Sequence, residues 1–361
     1  MTDIKRRITR AVKVGNTVIG SGAPVSIQSM TNTSPYDVDA TYNQVMRLAE
    51  AGCDIVRIST PDVAACDIFR SLGERGVSIP LVADIHFDYK IALAAVDAGA
   101  DKIRINPGNI GSRDKVRAVV DACKERGVPI RIGVNSGSLE RDILEKYGAP
   151  TPKALAESAL RHASILEELD FYNTVISVKA SSVPAMIEAN RIIAERTDYP
   201  LHLGVTEAGA RTRALVKSSI GIGALLSEGI GDTVRVSLTD DPCEEIAAAR
   251  EILRALKLTE DSGMDIISCP TCGRTKIDLI SILREFETRA AQSGLDKKNI
   301  SVAIMGCAVN GPGEAREADV GVAGGDGEAL LFKKGKTVRK IKEEHIVDEL
   351  IREIELMVDN G

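Results

Sequence analysis

The chain has 361 residues, 44% hydrophobic and 27% charged, with a formal net charge of -6; this is the composition of a soluble globular protein long enough for two domains. The acidic balance argues against a general nucleic-acid binder, because affinity for a phosphate backbone comes from a basic surface. No stretch approaches the roughly 18 apolar residues needed to span a bilayer, which argues against a membrane protein.

Trp is absent and aromatics are 3%, so the core is aliphatic. The charged start from Met1 to Arg7 has no apolar segment behind it, and no export signal is expected. Seven cysteines, odd in number and scattered, fit a reducing cytoplasm. Cys53, Cys66, Cys123 and Cys243 sit in aliphatic or helical surroundings and read as small core residues.

From the N-terminus, a short hairpin is expected around Gly15-Asn16, flanked by Val12, Val14, Val18 and Ile19. Strands then read at residues 25–30, 54–59, 81–86, 102–106, 130–135, 174–179, 201–206 and 233–238. Between them lie segments with apolar residues at helical spacing, such as Leu155, Ala159, Leu160, Ala163 and Leu166. Several end in glycine, at Gly52, Gly76, Gly99 and Gly127. Eightfold alternation over roughly 240 residues is the pattern of an α/β (β/α)8 TIM-type barrel. A doubly wound sheet would carry a Gly-rich turn after its first strand, where this chain has Ser29-Met30-Thr31-Asn32-Thr33.

Barrel strands are buried on both faces and should be aliphatic throughout. Here they are broken near their C-terminal ends, at Arg57 and Ser59, Asp84 and His86, Arg104 and Asn106, Arg131 and Asn135, Ser177 and Lys179, Glu207, and Arg235 and Ser237. Spacing by two sends each set to one face. If that face is the lumen, the set converges at the barrel mouth, where barrel enzymes keep their active sites. Arg57, Arg104, Arg131, Lys179 and Arg235 outnumber Asp84 and Glu207, and buried cations are costly unless paired. Guanidinium forks bind phosphate oxygens in pairs, so a substrate with more than one phosphoryl group is expected. Asp84 could orient His86; His162 and His202 read as structural and His345 as a surface residue.

The barrel is expected over residues 1–257, and a small α+β domain over 264–361. Its elements read as a helix at 275–292, strands at 300–305 and 320–323, a hairpin at 329–338 and a helix at 343–358. Lys333-Lys334-Gly335-Lys336 reads as a solvated hairpin tip rather than a docking patch for an acidic electron donor. In this domain Cys269-Pro270-Thr271-Cys272 is answered by Cys307 in a Gly-rich loop. Three thiolates suit a soft metal and leave one position open. Of the nearby loop residues Asn310 and Glu314, only the carboxylate is a reasonable fourth ligand, and an oxygen on a soft iron is exchangeable. Iron–sulfur, zinc and a redox dithiol all remain open on these residues.

Each barrel helix runs back toward the bottom face, so the chain leaves the eighth helix away from the mouth. That helix spans about 20 Å, and the link from Lys257 to Gly263 reaches about 25 Å at most. A head-to-tail homodimer is therefore expected, with the cysteine loop of one chain over the barrel of the other.

The segments Cys269-Pro270-Thr271-Cys272-Gly273-Arg274-Thr275 and Met305-Gly306-Cys307-Ala308-Val309-Asn310-Gly311-Pro312-Gly313-Glu314 closely resemble the 4-hydroxy-3-methylbut-2-enyl diphosphate synthase family. Pro24 to Thr31 and Ile103-Arg104-Ile105-Asn106-Pro107-Gly108-Asn109 resemble it too, and the likeness runs along essentially the whole chain in its bacterial two-domain form. The resemblance implies an enzyme of the methylerythritol phosphate route to isoprenoids. It would reductively open and dehydroxylate 2-C-methyl-D-erythritol 2,4-cyclodiphosphate, with flavodoxin or ferredoxin as electron donor. It further implies a [4Fe-4S] cluster on Cys269, Cys272, Cys307 and Glu314, in a domain resembling the cluster domain of sulfite and nitrite reductases. Arg57, Arg104, Arg131 and Lys179 would hold the diphosphate. Asp84, His86, Asn135, Thr206, Arg235 and Ser237 would line the rest of the pocket, with Glu207 as proton donor and Asn310 beside the cluster. A Schiff-base lyase using Lys179 with a zinc-stabilised tail, and a non-catalytic metal-binding module, are the alternatives.

Overall fold

Short aliphatic runs, interrupted at alternate positions by polar side chains, supply the strands of the first unit. The computed structural model of the protein describes residues 4–259, 263–308 and 316–359. The chain divides into two compact units, residues 1–259 and 260–361. After a hairpin of β1 (Val12–Val14) and β2 (Thr17–Ile19) come eight parallel strands. These are β3 (Ser26–Met30), β4 (Ile55–Ser59), β5 (Leu81–Asp84), β6 (Lys102–Ile105), β7 (Ile130–Asn135), β8 (Thr174–Lys179), β9 (His202–Leu203) and β10 (Thr233–Val234). They pair in chain order, with β10 beside both β9 and β3. A parallel bridge between Ile176 and Leu201 joins β8 to the start of β9, and the ring is the expected barrel.

The helices of this unit are α1 (Val38–Glu50), α2 (Asp67–Glu74), α3 (Tyr89–Asp97), α4 (Pro107–Ile110), α5 (Arg113–Arg126), α6 (Arg141–Tyr147), α7 (Pro152–Glu167), α8 (Val183–Arg196), α9 (Arg211–Ser227) and α10 (Pro242–Ala255). Polar caps start several of them: Asp37 accepts from the N–H of Ala40 at 2.9 Å, Thr151 from Ala154 at 3.2 Å and Asp241 from Cys243 at 2.9 Å. Each satisfies a donor the first turn leaves free. Gly127 ends α5 with φ 68°, a left-handed backbone that residues with a Cβ avoid.

Two differences from the sequence reading lie at the mouth. Strands β9 and β10 are two residues each, against six expected, because the backbone splays beyond Leu203 and Val234 and pairs through single bonds such as Arg235 N–H to Leu203 O at 3.0 Å. Short helices α4 and α6, not anticipated, follow β6 and β7.

The floor of the barrel is closed by the N-terminal hairpin. Val12, Val14 and Ile19 pack against Ile55, Val82 and Val175, the inward residues at the N-terminal ends of β4, β5 and β8, and all six are fully buried. Asn16 at the hairpin turn donates to Ser78 O at 3.3 Å.

The second unit is a five-stranded sheet in the order β11 (Asp265–Ser268), β12 (Ser301–Met305), β13 (Val320–Gly324), β14 (Glu328–Lys333) and β15 (Lys336–Lys342). The first three strands are parallel and the last two antiparallel. Helices α11 (Leu279–Ser293) and α12 (Ile346–Asp359) bury Phe286, Leu350 and Ile354 against Val302, Ile304, Val320 and Leu331. Strand β11 is absent from the sequence reading, being four residues long. Helix α11 starts at Leu279 rather than at residue 275, because Asp278 caps it by accepting from Ser281 N–H at 3.2 Å. The last helix likewise starts three residues late, after a turn at residues 343–345. The lysine hairpin tip bonds through Lys334 N–H to Ala318 O at 3.1 Å. That is the start of β13, the end of the sheet opposite Cys269 and Cys307.

Replacing Ile19 by Ala should destabilise the barrel by about 2–5 kcal/mol, the usual cost of truncating a fully buried aliphatic side chain. Urea unfolding followed on a barrel-specific probe tests this, and an unchanged midpoint would show that the hairpin is not a packed floor.

Candidate functional site

Alternation along the barrel strands decides which side chains meet. Arg57, Asp84, His86, Arg104, Arg131, Gly133, Asn135, Ser177, Lys179, Thr206, Glu207, Arg235 and Ser237 line one cavity of about 290 Å3 at the C-terminal ends of the strands. Every barrel residue to which the family resemblance gave a pocket role is among them. Of the other strand-end residues, Ser177 also lines it, whereas Asn106 accepts the Gly133 N–H at 3.0 Å and Ser59 does not reach the wall.

Asp84 is the centre of charge. Its carboxylate lies 3.9 Å from Arg57 Nε, 3.5 Å from Arg104 Nη1 and 3.6 Å from His86 Nε2. Burial works against its charge, but Arg57, His86, Arg104 and Arg131 together hold it far below the usual carboxylate range. Arg104 also donates to Gly133 O at 2.8 Å and meets His86 Nδ1 at 3.0 Å. Arg57 rests its Nε and Nη2 on the Met30 thioether at 3.2 and 2.9 Å. Burial first, and Arg235 and Arg104 with it, bring Arg57 down to about 10 despite Asp84.

Two cations have almost no compensation. Arg131 is 1% exposed and donates to Gln28 Oε1 at 3.4 Å. Lys179 forms no ion pair among the described residues, and burial followed by Arg235, Arg57 and Arg131 pushes it well below its ordinary value. Arg235 is held differently: both carboxylate oxygens of buried Glu245, on the first turn of α10, lie 3.3 Å from its fork. Glu245 also accepts from Ser29 Oγ at 3.0 Å. The sequence reading missed Glu245 because it lies on a helix outside the strand pattern. Counting it, five cations still face three carboxylates, and the arrangement is one that a polyanion completes.

Glycine makes room for two of these side chains. A Cβ on Gly133 would stand 2.2 Å from Arg104 Nε, and one on Gly204 2.7 Å from Lys179 Nζ. Glu207 sits at the mouth with φ 52°, a conformation costing roughly 1–3 kcal/mol and concentrated at functional sites.

In the second unit the sheet register places the cysteines. Ser268 pairs with Ile304 on the neighbouring parallel strand, so Cys269 and Cys307 leave β11 and β12 at the same end. The Gly306 N–H donates to Cys269 Sγ at 3.3 Å. Cys272 is exposed, and hydrogen bonds from the Arg274 backbone and side chain hold its thiol below the ordinary value. All three are free thiols, two on strand-end turns and one lowered toward thiolate, a donor set that suits a soft metal. Among the described residues, no three His, Cys, Asp or Glu side chains close on a single-ion site. Asn310 and Glu314 lie outside the described residues.

Residues 9–250 match the GcpE TIM-barrel domain and residues 265–356 the GcpE protein C-terminal domain. A 4-hydroxy-3-methylbut-2-en-1-yl diphosphate synthase (flavodoxin) of Clostridium perfringens is 60% identical over 353 residues, 98% of this chain and 99% of that protein. The protein of the same name from Geobacillus thermodenitrificans is 57% identical over 356 residues, 99% of this chain and 94% of its own length. A solved dihydropteroate synthase from Stenotrophomonas maltophilia superposes with a TM-score of 0.51 at 15% identity, over 69% of this chain and 97% of its own. That likeness is one of fold alone.

Gly133→Ala should weaken binding of inorganic pyrophosphate by about tenfold or more, ~1.4 kcal/mol, because the new Cβ evicts Arg104 from its place beside Asp84. Calorimetric titration measures it, and an unchanged affinity would remove Arg104 from the anion site.

Proposed function

The chain belongs to the GcpE family, and on that footing we propose that it catalyses the reaction in its relatives' name, forming 4-hydroxy-3-methylbut-2-enyl diphosphate for isoprenoid synthesis. The substrate is 2-C-methyl-D-erythritol 2,4-cyclodiphosphate, which takes up two electrons and two protons, opens its ring and releases water. The observation that carries this reading is the cation-rich cavity at the barrel mouth, whose charge a cyclic diphosphate would balance. Arg57, Arg104, Arg131 and Lys179 bind the phosphoryl oxygens, and Asp84 keeps the first two oriented while the cavity is empty. His86, Asn135, Thr206, Arg235 and Ser237 hold the carbon skeleton and its hydroxyls. Glu207 gives a proton to the departing oxygen from its constrained place at the mouth.

The reduction needs an electron carrier, and the residues present fit one. Cys269, Cys272 and Cys307, with Glu314 as an exchangeable oxygen ligand, would hold a [4Fe-4S] cluster, and Asn310 would lie beside it. Bound there, such a cluster supplies single electrons and a Lewis-acidic iron. Flavodoxin, in the name the relatives carry, is the donor in this reading. The direction of α10, which returns the chain to the barrel floor, supports a head-to-tail homodimer in which the cysteines of one protomer serve the barrel of its partner.

Protein purified without oxygen should contain about four irons and matching acid-labile sulfide per chain. One zinc and no iron would overturn the reading in favour of a lyase using Lys179. Glu314→Ala should keep more iron than Cys307→Ser and still lose most of its turnover; an unchanged rate would remove Glu314 from the reaction. Mixing an inactive Lys179→Ala protein with an inactive Cys269→Ser protein should restore part of the activity, and no restoration would count against the shared site.

A further inference from the structure

Beneath the cavity the lumen continues as a layer of polar side chains that the reaction leaves unused. Lys102 opens β6 two residues before Arg104 and so faces inward, and it is fully buried. Its Nζ has no hydrogen-bond partner among the described residues, and neither do Arg131 Nε, Gln28 Nε2, Ser26 Oγ and His202 Nε2. All five residues are more than nine-tenths buried. Such groups are costly when left unsatisfied, and a cluster of them marks a place where protons and ordered water matter.

The charges around Lys102 come from four strands. Arg131 on β7 and Arg57 on β4 face it as cations, and buried His202 on β9 senses Lys102, Lys179, Arg131 and Arg57. Asp101, its chain neighbour, is the opposing carboxylate, but its Oδ2 is engaged by the Leu81 N–H at 2.8 Å. The Gln28 carbonyl oxygen is taken by Arg131. Below lie the aliphatic side chains of the hairpin. An ammonium at this point meets two guanidinium groups and no ion-paired carboxylate among the described residues, and burial, then Arg131 and Arg57, push Lys102 well below its ordinary value.

We propose that Lys102 is the proton-accepting floor of the anion pocket: buried in the lumen two residues below Arg104 and without a hydrogen-bond partner among the described residues, its amine gains a proton when a polyanion settles on Arg57, Arg104 and Arg131. The inference rests on the reading of the cavity as a diphosphate site. The partnerless groups of Ser26, Gln28 and His202 share this lumen layer with Lys102. Burial, the larger cause, remains, but the incoming phosphoryl charges offset the repulsion from Arg131 and Arg57 that adds to it. Anion binding and proton uptake are then one event, and affinity falls as pH rises.

The test is calorimetric titration of inorganic pyrophosphate at pH 8 in buffers of different ionisation enthalpy, for the wild type and for Lys102→Met. The ligand's own protons enter both titrations alike, so the difference reports Lys102 together with the groups coupled to it, His202 among them. The wild type should take up on the order of one proton more per bound pyrophosphate. Its affinity should fall more steeply than the variant's between pH 7 and 9, by up to about tenfold per pH unit. Equal proton counts in the two proteins overturn the inference. Lys102→Gln, which keeps a polar group of similar length, gives the same comparison should the methionine variant not fold. A wild type that binds no pyrophosphate overturns the anion-pocket reading itself, and this inference with it.

Discussion

Like charges repel most where water cannot screen them, and this barrel gathers Arg57, Arg104, Arg131, Lys179 and Arg235 around one lumen. Their fixed counter-charges are Asp84 in the middle and Glu245 behind Arg235, with Glu207 at the mouth. The rest of the site follows from containing that repulsion. Asp84 stays ionised because the cations around it outweigh its burial. Gly133 lets Arg104 lie flat on the β7 backbone. The Met30 thioether shields one edge of Arg57 without offering it a charge. A ligand carrying several negative charges relieves a strain that the empty protein has to carry.

The strand alternation made much of this legible in advance. Wherever polar side chains fall at even spacing along an aliphatic strand and its end, as with Asp84 and His86 two apart or Arg131 and Asn135 four apart, the pattern gives both the element and the face. The same rule extends inward to Lys102, which stands two residues before Arg104. Glu245 was hidden because it reaches the lumen from a helix, and helical spacing says nothing about which strand it will meet. The short reach of β9 and β10 was hidden as well, since an aliphatic run continues past Leu203 and Val234 while the backbone pairing does not.

In the second unit, local sequence was informative about chemistry and poor on geometry. Cys269 and Cys272 announce a thiolate turn by their spacing. Their relation to Cys307 depends on a parallel pairing, Ser268 beside Ile304, between strands separated by a whole helix. Four residues of strand β11 carry no periodicity strong enough to show that pairing. Once it exists, the Gly306 N–H reaches Cys269 Sγ, and two turns distant in sequence are fixed at one sheet end.

The hairpin that closes the barrel floor also governs traffic. With Val12, Val14 and Ile19 packed against the innermost strand residues, the lumen is closed at the N-terminal ends of the strands and its cavity opens at their C-terminal ends. A molecule that has reacted must go out by the way it came in, and its successor waits outside until it has gone. Product and substrate thus contend for the same vacancy, so competitive inhibition by product is the expected pattern, and the rate of departure sets a ceiling on turnover however fast the chemistry becomes.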